Sequence, residues 1–159
     1  MSRTARINGL SYVGPYRYFL TFCTRNRRAA FTTAPVVHRT LVQFRRTAKE
    51  EPFAILAYCL MPDHAHLLVE GTRHNSDLRR FAKLAKQRSG AAFALEYGGR
   101  LWQEGFHDRV LRLNEDAKSV ARYIVANPVR ASLVVSPMDY PHSGSDVWTM
   151  AELIESVRL

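Results

Sequence analysis

The sequence predicts an α+β fold of the ferredoxin-like kind, a sandwich in which helices pack on an antiparallel sheet of about four to five strands. Two observations predict it. Strand-like and helix-like segments follow one another in the order β-α-β-β-α-β-α, and the second and third strands are joined so closely that they should pair antiparallel. Because no repeat or linker divides the chain, we expect residues 1–159 to form a single domain, with a core at about 16–133 and a tail at 134–159.

Each predicted strand has its own pattern. Residues 16–24 are rich in aromatic residues and threonine, which favour strands, and their alternation gives the strand one apolar face. Residues 53–60 are almost continuously apolar, as expected for a central strand buried on both faces. Pro62 ends that run, and a strand that contains two histidines follows. Residues 106–113 alternate again and predict the last strand of the core.

The predicted helices begin after residues that cap helices well. The first runs from a threonine cap to about Glu50, and the second spans about 75–97 before a Gly-Gly pair. The third continues through Ala126 and should loosen at the next residue, because Pro128 disfavours the α region there. A short amphipathic segment near 146–157 closes the chain.

The composition indicates a polyanionic partner. The formal net charge is +9, from 23 Lys and Arg against 14 Asp and Glu, and the isoelectric point is near 10.1. Nucleic acid is the first candidate for such a partner. We expect no membrane association and a cytoplasmic protein, since the sequence shows neither a long apolar window nor a signal-peptide pattern. Cys23 and Cys59 form no C-x-x-C unit and are expected to be buried free thiols.

The most informative stretch is Met61–Glu70, which places two histidines one residue apart at the start of a strand. Side chains at alternate positions of a strand share a face, so His64 and His66 should lie side by side with Cα atoms roughly 6.5–7 Å apart. Imidazole is the commonest metal ligand in proteins, so this pair predicts a metal site. The alternative is a chance pair whose rings are hydrogen-bonded to backbone, with no metal.

A second candidate group lies at the end of the third helix. Tyr123 and Asn127 are four residues apart, so they share a helical face if the helix reaches that far. A phenol with a pKa near 10 is a weak nucleophile at neutral pH unless a base or a cation assists it. A divalent ion held by His64, His66 and Asn127 would supply that help in phosphodiester chemistry. Two alternatives stay open: Tyr123 packs in the core, or a metal-bound water hydrolyses the substrate without a tyrosine.

These motifs resemble those of a known family. Met61–Leu68 resembles the metal motif of the single-tyrosine HUH transposases, in which two histidines flank one hydrophobic residue. The stretches Trp102–Arg109, Arg122–Ala131 and Asp139–Pro141 are similar to the subgroup called REP-associated tyrosine transposases, which are linked to repetitive extragenic palindromes. The resemblance covers roughly residues 16–140.

The resemblance implies a reaction and a set of site residues. Tyr123 would be the nucleophile, and His64, His66 and Asn127 would hold Mg²⁺ or Mn²⁺. The implied activity is cleavage and rejoining of single-stranded DNA beside a hairpin, through a 5′-phosphotyrosine intermediate. It further implies a monomer rather than a homodimer, no small-molecule cofactor, and action at the nucleoid of a bacterial cytoplasm. Asp63 departs from the asparagine usual in the family, which bears on metal affinity or substrate approach.

Contacts with DNA are expected from basic side chains. The candidates are Arg25, Arg27, Arg28, Arg79, Lys83, Lys86, Arg109, Arg122 and Arg130. The alternative for each of them is a solvated surface charge. The alternative for the whole protein is a non-catalytic regulator that binds single-stranded or hairpin DNA and retains the transposase fold.

Overall fold

The computed structural model describes residues 12–155 of the chain. Five strands form one sheet in the order β4-β1-β3-β2-β5, and every neighbouring pair is antiparallel. The strands are β1 (Arg17–Cys23), β2 (Phe53–Met61), β3 (His64–Gly71), β4 (His107–Val110) and β5 (Ser143–Gly144). The predicted α+β class and antiparallel sheet are confirmed.

The middle of the sheet is β3, the strand with the two histidines. The run at 53–60, which the sequence pattern suggested as a central strand, forms β2 and is indeed buried on both faces. Its outer neighbour, however, is only the two-residue β5. The predicted strand at 106–113 is shorter in the structure, because β4 pairs only with β1 at the sheet edge and stops at Val110.

Residues 12–155 contain five α-helices. They are α1 (Ala34–Glu50), α2 (Leu78–Tyr97), α3 (Ala117–Val125), α4 (Asn127–Arg130) and α5 (Met150–Glu155). Single turns of 3₁₀ helix lie at Arg25–Arg27 and Pro137–Asp139. The amphipathic segment predicted near 146–157 corresponds to α5, which begins at Met150. Residues 156–157 of the predicted segment lie outside the described part of the chain. Across 12–155, none of the helices is both long and apolar enough to cross a membrane.

The two faces of the sheet carry separate hydrophobic cores. On one face, α1 and α2 cover the side chains of Tyr18, Leu20 and Phe22, all fully buried, as the strand alternation predicted. On the other face, α3 and α5 cover Leu68 of β3 and the outward side of β2. His64, His66 and Leu68 occupy alternate positions of β3, so the two histidines lie on the α3 side of the sheet.

The end of α3 differs slightly from the predicted form. Ala126, with φ −84° and ψ −7°, is both the C-cap residue of α3 and the N-cap residue of α4. Asn127 is therefore helical, and the loosening falls one residue earlier than the proline rule placed it. Pro128 is accommodated in the first turn of α4, where its missing N–H costs no hydrogen bond.

The chain after residue 133 packs against the same face as α3. The Tyr140 hydroxyl donates a hydrogen bond of 2.6 Å to the carbonyl of Leu60, and Leu153 of α5 is fully buried. The guanidinium of Arg122 donates to the Leu153 carbonyl at 3.0 Å, which ties α3 to α5. These contacts join the described part of the tail to the second hydrophobic core. The division of the domain into a core and a tail stays a prediction.

Candidate active site

The two histidines of β3 converge at their Nε2 atoms, which lie 3.2 Å apart. The register of the sheet explains the arrangement, because His64 and His66 point to the same side of the central strand. Two ligands at right angles around an octahedral ion, each about 2.1 Å from it, are about 3.0 Å apart. The spacing of the two nitrogens therefore fits a shared metal ion.

The other ring nitrogen of each histidine is held by a side chain. His64 Nδ1 lies 2.7 Å from Asp63 Oδ1, and His66 Nδ1 lies 3.0 Å from Thr21 Oγ1. Such partners fix the ring orientation and the tautomer of metal-binding histidines. With Nδ1–H donated to these oxygens, both Nε2 lone pairs would be free to bind a cation. The partners of both rings are side chains, not the backbone groups that the alternative of a chance pair assumed.

Asp63 belongs to a small charged network at the end of the sheet. Its carboxylate accepts a hydrogen bond of 3.0 Å from Arg27 Nε, while an Nη of Arg27 contacts Cys23 Sγ at 2.9 Å. Burial alone raises the pKa of Asp63, but the hydrogen bond to His64 and the charge of Arg27 outweigh it and lower that pKa below its usual value. Asp63 is therefore a carboxylate at neutral pH and orients the His64 ring.

His66 is held in its neutral form. Burial is the main cause that lowers its pKa to about 3, and the neighbouring charges of His64 and Arg130 act in the same direction. The Phe19 ring packs edge-on against the His66 ring with centroids 5.3 Å apart. A neutral imidazole has the lone pair that metal binding needs.

Tyr123 lies on α3 and faces the same side of the sheet. Its side chain is 58% exposed, so it is not a core residue as the alternative held. Phe19 links it to the histidines, since the centroid of the Phe19 ring is 6.5 Å from that of Tyr123 and 5.3 Å from that of His66. The structure therefore brings the predicted nucleophile and the histidine pair to one surface.

Arg130 connects Tyr123 with Asn127. Its guanidinium carbon is 3.7 Å from the centre of the Tyr123 ring, and Nη2 donates to the Tyr123 carbonyl at 2.7 Å. The same nitrogen donates to Asn127 Oδ1 at 3.3 Å. The amide oxygen predicted as a metal ligand therefore accepts a hydrogen bond from a cation here, which occupies one of its two lone pairs.

The donor set fits a divalent ion only in part. Between residues 12 and 155, no group of three His, Cys, Asp or Glu side chains is arranged to bind a metal. Two imidazoles alone leave most positions of an octahedral ion open. An amide oxygen such as that of Asn127, water and substrate phosphate are suitable ligands for the remaining positions, because Mg²⁺ prefers oxygen.

A pocket of about 560 Å³ adjoins Tyr123, between α3 and the edge of the sheet. We call it the α3 pocket. Its walls include Phe19 and Thr21 of β1, His107 and Arg109 of β4, and Ser119, Val120 and Tyr123 of α3. Thr21 and Phe19 line this pocket and also contact His66, so the pocket adjoins the histidine pair.

The sequence did not single out three residues of this surface. Thr21, Phe19 and His107 approach Tyr123 and the histidines only through the pairing of β1 with β3 and β4, in which Thr21 is opposite both His66 and His107. The alternation of β1 was a usable signal, because it placed Phe19 and Thr21 on the face away from the aromatic core. To place these residues beside the histidines one must also know that β1 lies between β3 and β4, and this strand order depends on contacts between segments distant in sequence.

Two of the residues predicted to contact DNA, Lys86 and Arg122, also have structural partners. The ammonium of Lys86 donates to the carbonyls of Gln103 and Gly105, and its burial lowers the pKa of this amine. Arg122 is half-buried and bonded to the tail, as described above. Both side chains hold loops or helices in place, and their contact with DNA stays a prediction.

The other predicted contacts lie on different sides of the molecule. Arg109 and Arg130 are beside the α3 pocket, and Arg109 forms an ion pair of 2.9 Å with Glu115. The turn that contains Arg25, Arg27 and Arg28 follows β1 at the end of the sheet where His64 lies. Arg79 and Lys83 are exposed on α2, which covers the opposite face of the sheet.

Known proteins resemble this chain over most of its length. A REP-associated tyrosine transposase of Escherichia coli K12 is 26% identical over 135 residues, which cover 83% of this chain and 78% of the relative. A Haemophilus influenzae protein provisionally given the same name is 25% identical over 138 residues, covering 79% and 77% of the two chains. A solved REP-associated tyrosine transposase bound to a REP hairpin has 25% identity and a TM-score of 0.74 and covers 90% of this chain and 82% of its own.

The family assignment rests on a match to most of the chain. The family model described as "Transposase IS200 like" matches residues 13–127. That range begins just before β1, includes both histidines and Tyr123, and ends at Asn127. The chain belongs to the family of IS200-like transposases.

Proposed function

We propose that this protein is a metal-dependent endonuclease and strand transferase for single-stranded DNA, acting next to hairpin DNA through a 5′-phosphotyrosine intermediate. The observation that carries the proposal is the placement of an exposed tyrosine beside a convergent imidazole pair on one face of the sheet. The hairpin substrate is inferred from the solved relative, which is bound to a REP hairpin. Such a substrate would place the protein's action at the bacterial nucleoid.

The proposed reaction is a transesterification. The Tyr123 hydroxyl oxygen forms a bond to phosphorus while the bond from phosphorus to the 3′ oxygen of the preceding nucleotide breaks. The phenolic proton is lost and the departing oxygen gains one, so a free 3′ hydroxyl remains. Because the new phosphodiester keeps the bond energy, a 3′ hydroxyl from another strand can reverse the step and complete strand transfer.

The residues around Tyr123 would position this reaction. His64, His66 and Asn127 would hold Mg²⁺ or Mn²⁺, which when bound stabilises negative charge on the phosphate oxygens. Asp63 and Thr21 would keep the two imidazoles oriented. One chain supplies all of these groups, which supports a monomer as the active form.

Covalent capture tests the proposal directly. The protein would be incubated with a hairpin oligonucleotide that has single-stranded flanks, labelled at either its 5′ or its 3′ end, together with Mn²⁺. We expect a denaturant-resistant adduct that carries the 3′ label, because the tyrosine joins the 5′ phosphate of the downstream fragment. The 5′ label should appear on a shorter free strand. An adduct that carries only the 5′ label would contradict the assigned polarity.

Matched variants identify the groups involved. Tyr123→Phe should abolish the adduct, whereas Tyr97→Phe, which alters another exposed tyrosine on the far side of the sheet, should not. EDTA should also prevent formation of the adduct by the wild-type protein, because it removes the metal ion. Titration with MnCl₂ gives a readout independent of activity: His64→Ala and His66→Ala should lose binding that His38→Ala retains.

A non-catalytic hairpin-binding regulator is the alternative. It predicts tight binding of the same oligonucleotide with no adduct under any metal condition. Retained binding by both wild type and Tyr123→Phe, without cleavage by either, would replace the transferase proposal with this one.

A further inference from the structure

We propose that the α3 pocket binds one unpaired nucleobase of the DNA strand, belonging to a nucleotide next to the phosphate that Tyr123 attacks. This inference rests on the proposed function and adds to it a site that would select sequence at the point of cleavage. Its ligand is a base rather than a backbone phosphate, for reasons that come from the pocket walls.

Part of the pocket lining is apolar and aromatic. Phe19 and Val120 form part of it, and the ring of Tyr123 stands at its side. Bases stack on aromatic side chains in proteins that bind single strands, whereas a phosphate gains nothing from such a surface. The volume of about 560 Å³ is within the range of small-molecule sites and admits a base with part of its sugar.

The lining also includes polar side chains: His107, Asp108, Arg109 and Ser119. The exposed imidazole of His107 offers a donor and an acceptor. The Ser119 hydroxyl donates to Asp116 Oδ2 at 2.9 Å, so its oxygen remains able to accept a hydrogen bond from a ligand. These groups can read the edge of a base once it is stacked.

Tyr123 fixes the position of the base along the strand. Its hydroxyl is the proposed nucleophile, and its ring is a wall of the pocket. Arg130 lies over the same ring, 3.7 Å from its centre, and restrains it. A base against this ring belongs to a nucleotide adjacent to the scissile phosphate, since the phosphate must lie at the hydroxyl end of the same side chain.

The test is an abasic scan of DNA binding. In the Tyr123→Phe protein, which keeps the ring but cannot form the adduct, each nucleotide of the single-stranded flanks of the hairpin oligonucleotide would be replaced in turn by an abasic residue. We expect one position at which the Kd rises about 10-fold, from the loss of stacking. It should adjoin the cleavage position mapped with the wild-type protein.

Two variants fill the pocket from different elements. Ser119→Phe extends a ring from α3, and His107→Trp extends one from β4, where aromatic residues are well tolerated. Both should bind the intact hairpin less tightly and lose the abasic penalty at that one position. Ser119→Ala, which leaves the pocket open and the stacking surface intact, should retain an abasic penalty at that position, reduced only by the lost contact with the hydroxyl. Circular dichroism would confirm that each variant is folded. If one of the two filling variants does not fold, the other alone tests the pocket.

The outcomes separate this inference from the proposed function. A flat abasic scan, or a penalty of the same size in the filled variants, would overturn the base pocket even if the wild-type protein forms its adduct. A single sensitive position that disappears on filling would support the pocket. If no adduct forms, the same result would support a base-binding pocket but would overturn its place beside a scissile phosphate, because the scan measures binding alone.

Discussion

At the scale of single residues, the histidine pair depends on side chains that are remote in sequence. The strand period was enough to predict that His64 and His66 share a face and can converge. Their orientation comes from Thr21, which is 45 residues away from His66, and from Asp63, which Arg27 holds from 36 residues away. Asp63 is next to His64 in the sequence, but no local pattern predicts Thr21 or Arg27, because these two reach the histidine strand only when β1 pairs with β3.

Thr21→Val tests the first of these contacts. Valine keeps the shape and the strand preference of threonine but removes the oxygen that His66 Nδ1 contacts at 3.0 Å. We expect Mn²⁺ to bind about 10- to 100-fold more weakly, as is typical when such partners are lost. Calorimetric titration with MnCl₂ would measure this change. Thr32→Val, at an exposed position before α1, is the control, and equal affinities for the two variants would show that Thr21 does not position His66.

The lowered pKa of His66 predicts acid sensitivity of the metal-free protein. An unfolded histidine has a pKa near 6.5, whereas that of His66 is about 3. Between these values the unfolded state binds more protons, so the free energy of unfolding should fall as the pH decreases from 6.5. The loss should approach about 1 kcal/mol per pH unit.

Urea unfolding in EDTA at several pH values would measure this dependence. His66→Gln should make the dependence less steep below pH 6.5, although burial also lowers the pKa of His142, and His38→Gln, at an exposed position of α1, should leave it unchanged. If His66→Gln shows the full wild-type slope, other groups cause the acid sensitivity.

At the scale of elements, the order and type of the segments were predictable, but their lengths and neighbours were not. The hairpin of β2 and β3 was predicted because both patterns and the short connection are local. The central place of β3 and the shortness of β4 follow from long-range pairing with β1. The helix break at Ala126 shifted by one residue because Pro128 fits the first turn of a new helix as well as it disrupts an old one.

Two glycines should respond oppositely to alanine. A Cβ on Gly71, at the end of β3, would overlap the carbonyl oxygen of Gly14 and lie 2.9 Å from the Ser76 Cβ. Since these contacts involve backbone, Gly71→Ala should destabilise the fold by about 3 kcal/mol or more. In α2, a Cβ on Gly90 would meet only an ordinary contact of 3.7 Å with Trp102.

Gly90→Ala should therefore stabilise the protein by about 0.5–1 kcal/mol, because glycine is a poor helix former. Thermal and urea unfolding of the two variants, each compared with wild type, would measure both changes. A stable Gly71→Ala protein would mean that the segment containing Gly14 does not pack against β3 in solution.

At the scale of the whole molecule, the net charge of +9 predicted a polyanionic partner but not the face that it contacts. Arg25, Arg28 and Arg100 line a second pocket, of about 420 Å³, at the end of the sheet where the histidines lie. The exposed basic residues of α2, by contrast, lie on the side of the sheet opposite α3. We expect a strand that reaches Tyr123 to run along the first of these regions.

Two double variants with the same charge change test this expectation. Arg25→Gln with Arg100→Gln removes two guanidiniums from the pocket near His64, and Arg73→Gln with Arg79→Gln removes two from the opposite end of β3, where Arg79 lies over the ring of Tyr12 at 5.1 Å. Each phosphate contact contributes about 0.7–0.9 to the slope of log Kd against log salt concentration.

The first double variant should therefore bind the hairpin oligonucleotide more weakly and lower that slope by about 1.4–1.8. The second should match wild type in slope, because the loss of two distant charges changes no phosphate contact. Fluorescence anisotropy at several salt concentrations would measure both slopes. Equal decreases for the two variants would mean that net charge, rather than this end of the sheet, determines binding, and a decrease only for the second would place the DNA on the α2 side, away from Tyr123.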